Sequence, residues 1–81
     1  MYEAHEPTPE VLSQIKRSFR YHPPKADQVP RYERLRFEAG NLAFTIVTLA
    51  PESRERSLAI TKLEEAIMWA NAAIARNEAP T

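Results

Sequence analysis

The chain has 81 residues, no cysteine, and 11 lysines and arginines against 11 aspartates and glutamates, so its formal net charge is zero. Missing cysteines exclude disulfides, thiolate metal sites and thiol nucleophiles, and zero net charge gives no overall field toward nucleic acid or membrane. No apolar run approaches the roughly 20 residues of a membrane span, and the acidic N-terminus lacks a signal-peptide core. We therefore expect one soluble, intracellular domain.

The first predicted element is a short helix that follows an N-terminal arm. Residues 1–7 show no helical pattern and are predicted to form a flexible arm. Thr8 is a good N-cap and Pro9 suits the first helical turn, so we predict a helix over residues 9–19. Its apolar face contains Leu12, Ile15 and Phe19.

A proline-rich segment, RYHPPKADQV, follows and separates this helix from the rest. Pro23 and Pro24 remove backbone donors and push the preceding residues toward extended conformations. We therefore predict a crossing loop over residues 20–29 and a second helix over residues 30–49.

The second helix shows a heptad pattern of apolar positions. The pattern consists of Tyr32, Leu35, Ala39, Leu42, Ile46 and Leu49. Phe37, Phe44 and Val47 lie off this line and need a second burial surface. The β-branched run LAFTIVTLA also fits a strand, but unbroken periodicity from Tyr32 favours a helix.

The longest predicted element is a third helix over residues 51–77, which contains no glycine and no proline after Pro51. Its apolar positions recur at steps of three and four: Ile60, Leu63, Ile67, Ala70 and Ile74. Because Ala50-Pro51 forms a tight turn, the second and third helices are predicted to make an antiparallel hairpin. Further apolar side chains, including Trp69, widen the apolar arc beyond what one partner helix covers. The predicted fold is therefore all-α, and the hairpin assembles into a homo-oligomer.

The charges are unevenly distributed despite their overall balance. Residues 14–36 carry seven cations against two carboxylates, a net charge of +5, and aromatic side chains are interleaved with them. Cations that pair with phosphate, together with aromatic and proline faces for base stacking, fit a nucleotide site. The same pattern also fits a solvated basic face with a few core aromatics.

A second polar cluster, Ser53 to Ser57, begins the long helix, where unpaired backbone N–H groups and arginines fit either an anion site or helix capping.

Catalytic and metal-binding patterns are lacking. Glu64 and Glu65 point about 100° apart on a helix and do not converge. His5 and His22 lack metal-ligand spacing, and a single glycine excludes a glycine-rich phosphate loop. We expect no enzymatic activity, no cofactor and no metal.

Two stretches, RYHPPKADQVPRYERLR and PESRERSLAITKLEEAIMWANAAIARN, resemble small phage proteins of the anti-CBASS cyclic-oligonucleotide sponge family, whose hairpin domain is shared with the anti-Thoeris sponge. The resemblance covers roughly residues 19–77. It implies a non-enzymatic homo-oligomer, commonly a hexamer of interlocked trimers, in the host bacterial cytoplasm. Such proteins bind cyclic dinucleotides or trinucleotides between protomers and so keep host defence effectors inactive.

The resemblance also implies site residues. In the YHPPK motif, Tyr21 is the candidate for base stacking and Lys25 for phosphate pairing. Neighbouring candidates in the same segment are Arg20, His22, Pro24 and Gln28. In the SRERS…K pattern, the resemblance implies a second pocket, for a more anionic ligand, at Arg54, Arg56, Ser57 and Lys62.

Two other functions remain open at this level. The hairpin fits an oligomeric protein-interaction module with no nucleotide ligand, in which the basic loop is only solvated. A small DNA-binding regulator that uses Arg31, Arg34 and Arg36 is the weakest alternative, because such domains usually have net positive charge.

Overall fold

The computed structural model describes residues 4–78. Within them the chain forms three helices: α1 (Pro9–Phe19), α2 (Val29–Leu49) and α3 (Arg54–Asn77). Because these residues contain no strand, the all-helical prediction is confirmed and the strand alternative for residues 42–50 is excluded. None of the three helices combines the length and apolarity needed to cross a membrane.

Helix α1 begins at its predicted cap. The Thr8 hydroxyl accepts a hydrogen bond from the Val11 N–H at 3.2 Å, which satisfies one of the free donors of the first turn. Residues 4–7 of the predicted arm are exposed and non-helical, and residues 1–3 lie outside the described part. The apolar face of α1 does not pack against another element within residues 4–78, and Phe19 on this face is 86% exposed.

Residues 20–28 connect α1 to α2 without helical structure. The backbone adopts an extended conformation at Arg20, where α1 ends. The His22 ring nitrogen Nε2 lies 2.9 Å from the Arg17 carbonyl oxygen. A carbonyl oxygen only accepts, so Nε2 donates here and caps the C-terminal end of α1. The imidazole therefore fixes the direction in which the segment leaves the helix.

The connection between α2 and α3 is longer than predicted. The third helix begins at Arg54 rather than Pro51, because the Ser53 hydroxyl accepts from the Arg56 N–H at 3.1 Å and Ser53 is therefore the N-cap. Pro51 lies in the connection. The Arg56 guanidinium donates to the carbonyl oxygens of Val47 and Ala50, both at 3.3 Å, and so satisfies free acceptors at the end of α2.

Helices α2 and α3 pack against each other along one line of half-buried residues, the hairpin seam. On α3 the predicted positions are confirmed: Ile60, Leu63, Ile67, Ala70 and Ile74 are half-buried. On α2 the prediction was partly wrong, because Leu42 and Leu49 are exposed and Ala43 and Ala50 take their places. From Tyr32 to Ala50 the seam advances 18 residues in five turns, the 3.6-residue period of a straight α-helix rather than the 3.5 of a heptad.

The three helices lie in a single layer. The molecule measures 50 × 43 × 14 Å, and its radius of gyration is 17.8 Å, against about 12 Å for a compact domain of this length. A layer one helix thick has no interior, and no apolar side chain among residues 4–78 is buried. Phe37, Phe44 and Val47, which the sequence placed off the seam, are exposed.

We expect Ser53→Ala to lower the free energy of unfolding by about 1 kcal/mol, because it removes the N-cap of the longest helix. Urea denaturation followed by circular dichroism measures the change. Ser57→Ala, in the same helix but without a capping bond, is the matched control. Equal losses in the two variants would contradict the assignment of Ser53 as the cap.

Candidate functional site

The antiparallel hairpin brings the end of α3 beside the start of α2. Counting outward from the turn at residues 50–53, residues 75–78 fall opposite residues 25–28. The segment over residues 20–24 lies at this open end of the hairpin, and two grooves flank it. Both grooves share Arg20, Tyr21, His22, Pro24, Ala75 and Arg76.

The first, the α1-side groove, has a volume of about 610 Å³. Its remaining lining residues are Ser13, Lys16, Arg17, Pro23, Lys25, Gln28 and Glu78. Five cationic side chains therefore face one carboxylate, in a chain whose total charge is zero. The groove concentrates positive potential, which suits an anion with more than one charge.

The second, the α2-side groove, has a volume of about 600 Å³ and is more open. Arg20, Arg36 and Arg76 supply its positive charge against Glu33. Asn71 also lines it, and the side-chain oxygen of Asn71 is enclosed without a hydrogen-bond partner among residues 4–78.

The structure brings together all six site residues predicted in the segment over residues 20–28. Tyr21 is 80% exposed, so its ring is open to stacking. Lys25 is half-buried. Gln28 differs from the others because it is only 3% exposed. Their contacts with a ligand stay predictions.

Gln28 and Glu78 belong to a group of hydrogen-bonded side chains, together with Arg31, that we call the clasp. Arg31 donates from Nη1 to Glu78 Oε2 at 2.5 Å and from Nη2 to Oε1 at 2.8 Å. Gln28 Nε2 donates to Glu78 Oε1 at 2.7 Å. Bidentate guanidinium–carboxylate geometry is the strong form of this contact. The clasp thereby ties the end of α3 to the start of α2.

The clasp stabilises the charged form of the carboxylate. Hydrogen bonds from Arg31 first, and then from Gln28, lower the pKa of Glu78 from its ordinary 4.5 to about 2. The same contact with Glu78 raises the pKa of Arg31. Glu78 is therefore ionised at neutral pH, and Arg31 balances its charge beside the groove.

The second predicted set lies apart from the grooves. Arg54, Arg56, Ser57 and Lys62 occupy the first nine residues of α3, between about 21 and 33 Å along the helix from Arg76. Arg56 binds the carbonyl oxygens at the end of α2. Lys62 pairs with Glu65 at 3.5 Å, and both side chains are exposed. Within one chain this set does not join the Tyr21–Lys25 set.

Sequence reasoning missed the contribution of α3 to the grooves. Arg76, in the last turn of α3, and Glu78, directly after it, were not among the predicted site residues. The signal was present in the predicted hairpin, because an antiparallel arrangement with a known turn position places the end of the third helix beside the start of the second helix and the segment before it. Lys16 and Arg17 of α1 were counted in the basic segment but not assigned to the site.

These features define a small helical-hairpin protein with a cationic cleft at the open end of the hairpin. A comparison with protein-family models matches residues 12–75, 64 of the 81 residues, to the Acb2/Tad1 hairpin domain. The chain belongs to this family of anti-CBASS and anti-Thoeris sponge proteins. Comparisons with curated proteins and with solved structures gave no match.

We expect the clasp to make stability depend on pH in acid. Because the pKa of Glu78 is lowered on folding, the unfolded chain binds more protons between about pH 2 and 4.5. The stabilisation is therefore complete above pH 4.5 and is lost as the pH falls toward 2. Melting temperatures of wild type and Glu78→Gln, measured from pH 2 to 6, should differ most at the upper end and converge in acid. Parallel curves would contradict the ion pair.

Proposed function

We propose that this protein is a phage-encoded sponge that binds and sequesters cyclic di- or trinucleotide immune signals, and so blocks CBASS-type defence in the host bacterial cytoplasm. The observation that carries the proposal is the α1-side groove, where five cations surround an exposed tyrosine in a chain of this family. A cyclic dinucleotide presents two phosphates and two bases, which is the charge and stacking chemistry that such a groove accepts.

Individual residues take roles according to their chemistry. Tyr21 stacks on a base, and Pro24 offers a second flat face. Lys25 and Arg76 approach phosphate from two different elements, the connecting segment and α3. Arg20 lines both grooves and pairs with phosphate in either one, and His22 borders the ligand while its Nε2 caps α1.

The proposal includes binding without cleavage. The described groove is lined mainly by cations, an aromatic ring and prolines, which hold an anion without transferring a proton. Its carboxylate, Glu78, is a poor general base because the pKa is about 2 and both oxygens already accept hydrogen bonds. Ligand released from the denatured complex should therefore be chemically intact.

Assembly is part of the proposed mechanism. A folded monomer of 9.3 kDa exposes about 5,000 Å², whereas this chain exposes 7197 Å². The excess of about 2,200 Å² is the size of an obligate interface. Phe37, Phe44 and Val47 form an exposed apolar stripe on α2, and Gly40 within it has open space above its backbone. A homo-oligomer, a hexamer by family resemblance, covers this surface.

A second pocket type fits the start of α3. Arg54, Ser57 and Lys62 are exposed there, in neither groove of the single chain. Around a threefold axis, copies of these side chains present positive charge in threes, which matches the three phosphates of a cyclic trinucleotide. Arg56 is half-buried against α2 and supports this end.

The exposed apolar stripe on α2 also supports a second function. A hairpin whose apolar surface receives another protein is an interaction module with no nucleotide ligand. The two functions differ in one respect: the sponge requires an anionic cyclic ligand at the open end of the hairpin, and the module does not.

A thermal-shift panel of 3′,3′-cyclic dinucleotides, cyclic trinucleotides and cyclic ADP-ribose isomers separates these functions. Ligand at a hundredfold excess over Kd should stabilise the protein by about 2.7 kcal/mol. Lys25→Ala and Arg76→Ala should each weaken cyclic dinucleotide binding at least tenfold. Arg34→Ala removes an exposed cation outside both grooves and should bind as wild type does. No shift with any ligand favours the interaction module.

Light scattering of the purified protein should give a mass of several chains, six if the family resemblance extends to stoichiometry. Phe44→Glu should reduce that mass, because it places a charge on the exposed stripe of α2. Glu38→Gln, a change at an exposed polar position of α2, is the matched control. A wild-type monomer at micromolar concentration contradicts assembly.

A further inference from the structure

Gln28 is unusual among residues 4–78 because it is buried in a molecule that buries no apolar side chain. Ordering a glutamine side chain costs rotamer entropy, and enclosing its amide also requires hydrogen-bond partners for both polar atoms. Both atoms have one: Nε2 donates to Glu78 Oε1 at 2.7 Å, and Oε1 accepts from the Lys25 backbone N–H at 3.0 Å.

The backbone of Lys25 is consequently held on both sides. Its N–H is bound by the Gln28 side chain, and its carbonyl oxygen accepts from the N–H groups of Gln28 at 2.9 Å and Val29 at 3.2 Å. A glutamine that reaches back three residues to a backbone N–H is one half of a capping box. This geometry fixes the direction in which the Lys25 side chain leaves the backbone.

The other end of the glutamine is fixed by the clasp. Glu78 receives two hydrogen bonds from Arg31 and one from Gln28, so its carboxylate cannot rotate without breaking the ion pair. A continuous path of hydrogen bonds therefore runs from α3 through Glu78 and Gln28 to Lys25. Arg76 lies two residues before Glu78, so the same path relates the two cations that border the groove.

We propose that Gln28 is a positioning residue that sets Lys25 in the anion site, with Glu78 orienting Gln28, and that neither side chain recognises the ligand itself. This inference rests on the proposed function. Its chemical basis is that a positioned ammonium group loses less entropy on binding phosphate than a mobile one, so pre-organisation appears as affinity.

The test is a double-mutant cycle on cyclic dinucleotide affinity. Gln28→Leu keeps the side-chain volume and removes both hydrogen bonds, and we expect it to weaken binding about tenfold. In a Lys25→Ala background the same change should cost less than twofold, because the residue it positions is absent. Arg34→Ala is the matched control, since it removes an exposed α2 side chain that lies outside both grooves and outside the clasp. Equal losses in both backgrounds, or none in wild type, would overturn the inference.

A second pair of variants addresses the clasp without changing a buried residue. Glu78→Ala and Glu78→Gln remove the same charge from the groove, but only the glutamine keeps an oxygen that accepts from Gln28 Nε2. We expect Glu78→Ala to bind the cyclic dinucleotide more weakly than Glu78→Gln, by about threefold or more. Equal affinities of the two variants would overturn the role of Glu78.

Amide hydrogen exchange provides a measurement that needs no ligand. The Lys25 amide should exchange at least tenfold more slowly in wild type and Arg34→Ala than in Gln28→Leu, while the α2 amides remain unchanged. An unprotected Lys25 amide in wild type would overturn the inference. If wild type binds no cyclic nucleotide, the proposed function fails, and the exchange rates decide independently whether Gln28 holds Lys25.

Discussion

The structure depends on one contact, the seam along which α2 and α3 pack antiparallel. The connection at residues 50–53 sets its register, and the Ser53 cap and the Arg56 guanidinium close that end with hydrogen bonds to backbone groups. Once the register is set, the end of α3 must lie beside the start of α2. The clasp forms there, and the groups that border both grooves come together although up to some 60 residues separate them along the chain.

A single seam leaves most of the apolar surface uncovered. Each helix has one face toward its partner, and the remaining faces, with Phe44 and Trp69 among them, stay in contact with solvent in the lone chain. A layer one helix thick cannot enclose a core whatever its sequence, so the hydrophobic stabilisation available to one chain is limited. These uncovered apolar faces are the surface that the proposed homo-oligomer would cover.

The charged side chains are also unevenly distributed over the hairpin. The open end of the hairpin gathers cations from α1, the connecting segment and α3, while Glu78 is neutralised by Arg31. A neutral chain thus presents a local positive cleft, and local rather than total charge determines which anions it attracts. The buried Gln28 links this cleft to the hairpin, so the rigidity of the seam extends to Lys25.

The sequence by itself determined the helical fold, the hairpin and the α3 side of the seam, because helix propensity, capping and periodicity act over neighbouring residues. The cationic and aromatic character of residues 20–28 was also legible, since composition does not depend on geometry. Only the tertiary structure decided that Ala43 and Ala50 replace Leu42 and Leu49, that Arg76 and Glu78 join the groove, and that Gln28 is buried. The physical reason is that each of these depends on how two distant helices rotate and align, which no local pattern records.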